Sequence, residues 1–257
     1  MRKFMTVMFG VMCVTSAAVN AADLKVAANM ANLPFEYEDQ NGVLTGFEVD
    51  IIKEAAQRLG KTVEFSSMPF AMLFPAIQSG RADLAIGSVT ITPKRLESIA
   101  FSQAYFDAQQ CLTVATKSGV AGFQGLSGKQ LGVVTGTVGE IWATENQKKY
   151  NYSEIRRYDT NIDPMLDLAT GRLAGFFHDC PIDAYYIKDK PQYKIVAQIE
   201  TNEQFGMAFP KDSKVLSQIN DEISKMKQDG MLAQFYEKWF GMKAPADSSS
   251  LKVSAIP

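Results

Sequence analysis

The residues best suited to chemistry follow a short apolar run at 84–86, which has the length of a buried strand. Two hydroxyl residues, Ser88 and Thr90, come directly after it, and a helix start of threonine, proline and two cations then carries Arg95. Because ligands of open α/β sheets bind at the carboxyl ends of strands, we predict that these side chains meet at one such end. Hydroxyls and a forked guanidinium suit a small carboxylate, since arginine can bind both of its oxygens. The competing interpretation is a surface arginine beside an ordinary helix cap at Thr92.

A second segment of the chain repeats this pattern. The sequence PAIQSGRADLAIGS at 75–88 has an echo, LDLATGRLAGFFHD, at 166–179, and each is typical of a helix, a glycine stop and a strand ending in polar residues. The second strand ends in His178 and Asp179. Two such units predict two similar lobes with facing strand ends, Arg95 offering a cation on one side and Asp179 an anion on the other. A zwitterion would fit between them.

The first 21 residues have the pattern of a secretory signal, with two cations, an apolar run and small residues up to Ala21. We expect cleavage after Ala21 or Ala22 and an exported, periplasmic chain. Cys13 lies inside the apolar run behind a methionine, which disfavours lipid modification there. No later segment has the roughly 18 unbroken apolar residues of a spanning helix.

Composition narrows the functional classes. Without the first 21 residues the chain keeps 236 residues, 24 basic and 28 acidic side chains and a net charge of −4. This length suits two modest domains, and a weakly acidic chain without a basic tract does not favour nucleic acid as a partner. Cys111 and Cys180 are compatible with either a disulfide or buried thiols, because sequence does not fix their separation. A single histidine and scattered cysteines give no metal-ligand spacing, so we expect no metal and no cofactor.

The order of the predicted elements is that of an α/β protein. Strands such as 24–28 alternate with amphipathic helices such as 51–59, and repeated strand-helix-strand units predict mostly parallel sheets with right-handed crossovers. The Asn-Gly pair at 41–42 predicts a hairpin. A return strand is expected at 204–209. The proline- and serine-containing segment 243–257 is expected to be a mobile tail.

A glycine-rich turn at 135–139 follows another predicted strand and opens a helix. Its residues Thr137 and Val138 would present backbone amides to an anion. The turn lacks the lysine and the spacing of a nucleotide phosphate loop, so we predict no nucleotide site.

Two acidic residues precede the predicted helix at 51–59. Glu48 and Asp50 have the spacing of a possible catalytic acid pair. We favour the simpler interpretation, in which Asp50 is a helix-start residue and Glu48 a surface or ion-pair group.

Several motifs together resemble the periplasmic solute-binding proteins of polar amino-acid ABC transporters, family 3. They are GFEVD at 46–50, SGRAD at 79–83, TITPKR at 90–95, FS at 101–102, ATGR at 169–172 and WFG at 239–241. The resemblance covers essentially the whole mature chain and implies an α/β, two-lobed periplasmic binding protein fold of type II. Lobe one would comprise 22–107 and 204–242, and lobe two 108–203.

Within this family, FHDCP at 177–181 and FGMAFP at 205–210 resemble glutamine-binding members. The resemblance implies a role in ligand binding for each of these residues. Phe70 would stack on the ligand, and Ser88 and Thr90 would make polar contacts to its ammonium and carboxylate. Arg95 would clamp the carboxylate, Thr137 and Val138 would lie in the second-lobe turn, and Asp179, with His178 beside it, would bind the ammonium. Asn32 stands where an aromatic residue is usual, and Val134 where glutamine binders have a lysine.

The resemblance implies a binding component of an ABC importer. Its lobes would close on a polar L-amino acid, glutamine or similar, and the monomer would deliver it to the membrane permease. The alternative on the same fold is an exported, cyclohexadienyl-dehydratase-like enzyme, with His178 or Glu140 as general acid.

Overall fold

Two five-stranded sheets organise the described part of the chain, residues 22–29 and 31–257 of the computed structural model. The expected signal segment, residues 1–21, lies outside the described residues. In each sheet, three parallel strands are followed by two strands added in antiparallel fashion. The predicted α/β class with two lobes is therefore confirmed.

The elements up to residue 101 build most of lobe one, which we define as the first sheet and the helices packed on it. They are β1 (Leu24–Ala28), β2 (Ala31–Asn32), β3 (Glu36–Glu38), β4 (Leu44–Thr45), α1 (Phe47–Arg58), β5 (Val63–Ser67), α2 (Phe70–Gln78), β6 (Leu84–Ile86), α3 (Pro93–Leu96) and β7 (Ala100–Phe101).

The middle of the chain forms lobe two, defined as the second sheet with its helices, and the chain then returns to lobe one. The elements are β8 (Phe106–Ala115), β9 (Gln130–Val134), α4 (Val138–Tyr150), β10 (Glu154–Tyr158), α5 (Ile162–Ala169), β11 (Gly175–Asp179), α6 (Cys180–Ile187), β12 (Tyr193–Phe205), β13 (Ala208–Phe209), α7 (Leu216–Gln228) and α8 (Met231–Phe240). Short 3₁₀ turns lie between β8 and β9.

The two sheets have the same strand arrangement, which agrees with the sequence echo. Their orders are β5-β1-β6-β13-β7 and β10-β9-β11-β8-β12. The echoing segments become α2 followed by β6 in one lobe and α5 followed by β11 in the other. The polar residues after β6 and at the end of β11 therefore occupy equivalent places in the two lobes.

Hydrophobic periodicity explains the main helix of lobe one. Ile51, Ile52, Ala55 and Ala56 are buried on one face of α1, against the core that also includes Leu232 of α8. The helix begins at Phe47, four residues before the predicted start at 51.

Two long strands, β8 and β12, connect the lobes. Phe106 and Phe205 stack in the core of lobe one with ring centroids 5.9 Å apart, whereas Leu112, further along β8, belongs to the core of lobe two. Both strands pass through the predicted lobe boundary without a break, so that boundary stays a prediction. The expected return strand at 204–209 is divided, with Phe205 ending β12 and β13 following.

The C-terminal segment 243–257 differs from the expected mobile tail. Ser250 is fully buried, and its hydroxyl donates to the carbonyl of Tyr105. Ser249 donates its backbone amide to Asp107 at 2.8 Å. The carbonyl of Lys252 accepts a hydrogen bond from Lys227, a buried cation that needs such acceptors. Serine composition favours mobility in isolation, but these partners hold the segment against the strands that join the lobes.

The two cysteines left open by the sequence form a disulfide. Cys111 of β8 and Cys180 at the start of α6 are bonded, with their Cα atoms 4.9 Å apart. Within the described residues, no helix is both long enough and apolar enough to cross a membrane.

Candidate functional site

A cavity of about 270 Å³ lies where the strand ends of the two lobes face each other. Its lining includes every residue predicted for the ligand site: Asn32, Phe70, Ser88, Thr90, Arg95, Thr137, Val138, His178 and Asp179. Asn29, Gly87 and Val134 complete the lining. The structure thus brings the nine side chains together, and their binding roles stay predictions.

Lobe one contributes the turn after β6. Ser88 has a left-handed backbone conformation, with φ of 52°, which aims the chain sharply away from the strand. Its hydroxyl is buried and has no hydrogen-bond partner. Buried polar atoms without a partner are uncommon, so this hydroxyl is available to a bound molecule.

Glu48 supports this turn from beneath, and its expected surface position is wrong. The side chain is fully buried, and its carboxylate accepts hydrogen bonds from the backbone amides of Gly87 at 2.9 Å and Ser88 at 3.0 Å. The hydroxyl of Tyr105 also donates to it. A carboxylate can be buried when such donors converge on it, which explains the difference from the prediction. Asp50 lies in the first turn of α1, as expected.

Glu36 lies next to Glu48 in the same buried layer. Burial raises the pKa of Glu36 well above its ordinary value, and the charge of Glu48 adds to the rise. Burial also raises the pKa of Glu48, but the hydrogen bonds that Glu48 shares with Glu36, Tyr105 and the backbone amides of Ser88 and Gly87 oppose that rise.

Arg95 crosses from lobe one to lobe two. Its guanidinium donates to the carbonyl of Thr90 at 2.7 Å and to the carbonyl of Gly136, in the other lobe, at 3.1 Å. It lies over Phe70 and Phe74, 5.3 and 5.2 Å from the ring centroids. Burial lowers the pKa of Arg95 to about 10, so the side chain remains charged at neutral pH.

Asp179 is the opposing charge, at the end of β11. Its carboxylate accepts a hydrogen bond of 2.5 Å from the side-chain amide of Gln110 and is 7% exposed. Burial raises the pKa of Asp179 to about 6 even though His178 opposes the rise. The carboxylate is therefore ionised at neutral pH and becomes protonated under mildly acidic conditions.

His178 lies between two buried acids. Its Nδ1 is 3.2 Å from Asp183, and its Nε2 is 3.8 Å from Asp179. Burial alone would lower the pKa of His178, but the hydrogen bond to Asp183 and the charge of Asp179 raise it. The imidazole thus lines the cavity and lies within hydrogen-bond distance of the buried carboxylate of Asp183.

The turn before α4 completes the lobe-two wall. The hydroxyl of Thr137 donates to the carbonyl of Val134 at 2.8 Å and caps the helix by accepting from the amide of Glu140. Val138 is the first residue of this helix, whose amino end favours an anion. Glu140 itself does not line the cavity, because its carboxylate binds the amide of Gly136 and the guanidinium of Arg157.

Asn161 was missed by the sequence analysis. Its side-chain amide donates to Asn32 at 3.0 Å, and Asn32 donates in turn to Glu36 at 2.7 Å. This chain joins the lobes behind the cavity, just as Arg95 and Gly136 join them at its side. No sequence motif marks Asn161, because its role depends on how the lobes approach.

Two further features bear on the site. In the part of the chain that the structure describes, no group of acidic, histidine and cysteine side chains could hold a metal ion. A larger groove of about 1,250 Å³ lies beside the connecting strands, and its lining, which includes Phe106, Gln198 and Tyr236, contains none of the predicted site residues.

Comparison with known proteins identifies the family. The model of the bacterial extracellular solute-binding proteins, family 3, matches residues 24–242. A probable histidine-binding protein of Neisseria gonorrhoeae is 30% identical over 221 residues, 84% of this chain and 82% of that protein.

Two solved structures have the same architecture. An ancestral arginine-binding protein bound to arginine superposes with a TM-score of 0.80 and 33% identity, over 85% of this chain and 98% of the other. An ancestral arginine-binding protein bound to glutamine gives a TM-score of 0.78 and 33% identity, with the same coverage of 85% and 98%.

The chain belongs to the bacterial extracellular solute-binding proteins, family 3. Its fold is that of the type II periplasmic binding proteins, as the sequence motifs predicted. It is a binding protein and not an enzyme of this fold.

Proposed function

We propose that this protein binds a free polar L-amino acid, glutamine or similar, in the cavity between its lobes and delivers it to the permease of an ABC importer. The observation that carries the proposal is the placement of Arg95 and Asp179 on opposite lobes of one small cavity. An α-amino acid has one carboxylate and one ammonium on the same carbon. A cation and an anion facing each other across a small space match that pattern.

The backbone groups of the ligand would be held from both lobes. Arg95 and the hydroxyls of Ser88 and Thr90 bind the carboxylate, with the amide of Val138 at the helix start of lobe two. Asp179 binds the ammonium. Because each lobe supplies only part of this set, the ligand has higher affinity for the closed arrangement and stabilises it.

The polarity of the cavity supports a neutral polar ligand side chain. Asn29 and Asn32 line it with carboxamides, and His178 adds an imidazole, whereas the lining contains Asp179 as its acidic residue. Asp179 is already assigned to the ammonium, which leaves amides and an imidazole for the side chain. Similar proteins include a probable histidine-binding protein and ancestral arginine-binding proteins, one of them bound to glutamine.

Transport fits this binding role. We propose that residues 1–21 direct the chain to the periplasm, where it works as a monomer. Mass spectrometry of the periplasmic fraction would find a mature start at Ala22 or Asp23, and retention of Met1 would contradict export. Gel filtration of the mature chain would report its oligomeric state.

Calorimetry on ligand-free protein tests the binding proposal. Refolded protein is screened by thermal shift against the twenty amino acids, and the best are titrated. We expect one site per chain, glutamine or another polar L-amino acid as the strongest ligand, and recovery of that amino acid unchanged after heating. Absence of binding by every α-amino acid would overturn the proposal, and strongest binding of arginine would overturn its preference for neutral side chains.

A further inference from the structure

We propose that the disulfide between Cys111 and Cys180 positions Asp179 for the ligand ammonium, so that its loss weakens amino-acid binding through Asp179 itself. The inference rests on the proposed function, because it assigns a positioning role within the same site. Stabilisation of lobe two alone would not require the bond to lie beside the binding residue.

The disulfide lies directly beside Asp179, both along the chain and across the β8–β11 strand pair. Cys180 directly follows Asp179 and begins α6, while Cys111 faces His178 across the antiparallel pair of β8 and β11. In the same pair, Gln110 faces Asp179 and donates its amide to the carboxylate. The covalent bond therefore ties the two backbones together within one residue of the hydrogen bond that orients Asp179.

Within the sheet, the strand end that carries Asp179 is paired on one side only. β11 pairs with β9 only through Gly175 and Phe176, so the ladder on that side stops before Asp179. β9 itself continues to Val134, paired there with β10, before the turn that forms the cavity wall. The strand end that carries Asp179 is thus paired on the β8 side alone, which is the side of the disulfide.

The carboxylate of Asp179 has one close hydrogen-bond donor, the side-chain amide of Gln110 at 2.5 Å. Asp179 is the N-cap residue of α6, yet its side chain makes no capping hydrogen bond. The amide nitrogen of Gln110 has two hydrogens and donates to Asp179 and also to Glu203, whose carboxylate lies 2.8 Å from that nitrogen. His178 is 3.8 Å away. Without a fixed backbone, the side chain would have several rotamers available.

Nearby acidic groups would influence which rotamer a mobile Asp179 adopts. Burial is the main cause that disfavours the ionised form of Asp179, and the charge of Glu203 acts in the same direction. An unconstrained Asp179 would turn away from Glu203 and toward water, leaving the cavity wall without its anion. The disulfide opposes this movement by fixing the residue that follows.

Removal of the disulfide is expected to leave Asp179 without a fixed position before the ligand binds. Ordering Asp179 upon binding costs roughly the entropy of its side chain and of its backbone, which corresponds to about 5-fold to 50-fold in affinity. The fold itself has another source of stability in the core of lobe two, where Leu112, Val133 and Phe177 are buried.

A double-mutant cycle tests the proposal. The four proteins are the parent, Cys111→Ala/Cys180→Ala, Asp179→Asn, and the combination of all three substitutions. L-glutamine is titrated by calorimetry well below the melting temperatures, or the amino acid that the screen selects in its place. We expect removal of the disulfide to weaken binding about 5-fold to 50-fold in the parent and less than about twofold in Asp179→Asn.

Equal weakening in both backgrounds would overturn the proposal, because the disulfide would then act without Asp179. Unchanged affinity of the double alanine variant would overturn it as well. Absence of binding by the parent protein is a different outcome, which refutes the proposed function.

A matched control separates positioning from stability. Leu131→Ala removes a fully buried side chain from the same lobe and does not touch Asp179. Its expected cost, about 2–5 kcal/mol, is similar to that of losing a disulfide. Leu131→Ala should keep the parent affinity within about twofold; comparable weakening would assign the effect to stability. If the alanine pair does not fold, the parent and Asp179→Asn are compared in the presence of a phosphine reductant, which breaks the disulfide and adds no bulk to either buried sulfur.

Discussion

The two halves of the cavity present opposite charges from equivalent strand ends, but they are supported in different ways. In lobe one, the turn after β6 is held by the buried carboxylate of Glu48, which accepts the amides of Gly87 and Ser88. In lobe two, the end of β11 is held by the amide of Gln110 and by the disulfide at Cys180.

Charge explains the difference. A buried anion beneath the turn of lobe one is compatible with Arg95 nearby, because the two charges are opposite. The same support beneath Asp179 would repel it and raise its pKa further. Lobe two instead uses a neutral amide and a covalent bond. Of the acids close to Asp179, Asp183 is paired with His178, and Glu203 accepts from the amide of Gln110. The two lobes thus share the same helix-strand unit, but the groups that hold its strand end differ according to the charge that the strand end presents.

The largest effect is expected from removing either charge at the cavity. Arg95→Ala or Asp179→Ala leaves the opposite charge of the closed site without its partner, which typically costs about 2–5 kcal/mol, or roughly 30-fold to several thousand-fold in affinity. Arg95→Lys should also bind poorly, since one ammonium does not replace the guanidinium fork. Titration calorimetry measures all three. Near-parent affinity of either alanine variant would place the ligand elsewhere.

Removing the support of lobe one should affect stability first. Glu48→Ala leaves the amides of Gly87 and Ser88 and the hydroxyl of Tyr105 without an acceptor. We expect a loss of about 2–4 kcal/mol in the free energy of unfolding, measured by denaturant titration. Glu48→Gln keeps an acceptor and should lose less. Equal losses in the two variants would contradict the role of the carboxylate.

Acidification should weaken ligand binding, because it removes the charge of Asp179 in lobe two. Protonation of Asp179, whose pKa is raised to about 6, removes the partner of the ligand ammonium. Affinity should therefore be constant above pH 7 and fall by about tenfold at pH 5, one unit below that pKa. The stability of the ligand-free protein should change with pH in the opposite direction. Because the pKa of Asp179 is higher in the folded state, this carboxyl stabilises the fold at low pH, and that contribution is lost as the pH rises toward 6. Calorimetry between pH 5 and 8 tests the affinity, and Asp179→Asn should show no such fall.

The smallest effect on binding is expected from the C-terminal segment. Deletion of residues 245–257 removes contacts to Tyr105, Asp107 and Lys227, none of which lines the cavity. We expect a loss of about 1–3 kcal/mol in stability from these hydrogen bonds and less than about twofold change in affinity. A large change in affinity would show that this segment controls lobe closure.

The cavity could be predicted from the sequence because its residues follow strands in recognisable motifs. The echo between 75–88 and 166–179 aligns Ser88 with Asp179 at equivalent strand ends, and Arg95 follows in the helix after the first of them. Parallel α/β units bring such ends together. The fold class followed from the same alternation of strands and helices.

The groups that hold the cavity residues and the C-terminal segment in place could not be predicted in this way, because each depends on contacts between residues far apart in the sequence. Glu48 is buried because Gly87, Ser88 and Tyr105 converge on it, whereas its residue type alone favours the surface. The serines near the C terminus dock because Asp107 offers them a partner. The cysteines pair across 69 residues of chain, a separation that sequence does not relate to distance.

The central claim is that Arg95 binds the carboxylate of an α-amino acid, and one cycle tests it most directly. The amino acid selected by the screen and its methyl ester are titrated into the parent and into Arg95→Ala. We predict that esterification abolishes most binding to the parent but costs Arg95→Ala much less, because the partner of that carboxylate is already gone. If the losses from the ester and from the substitution simply add, Arg95 does not contact the carboxylate and the assignment of the site is wrong.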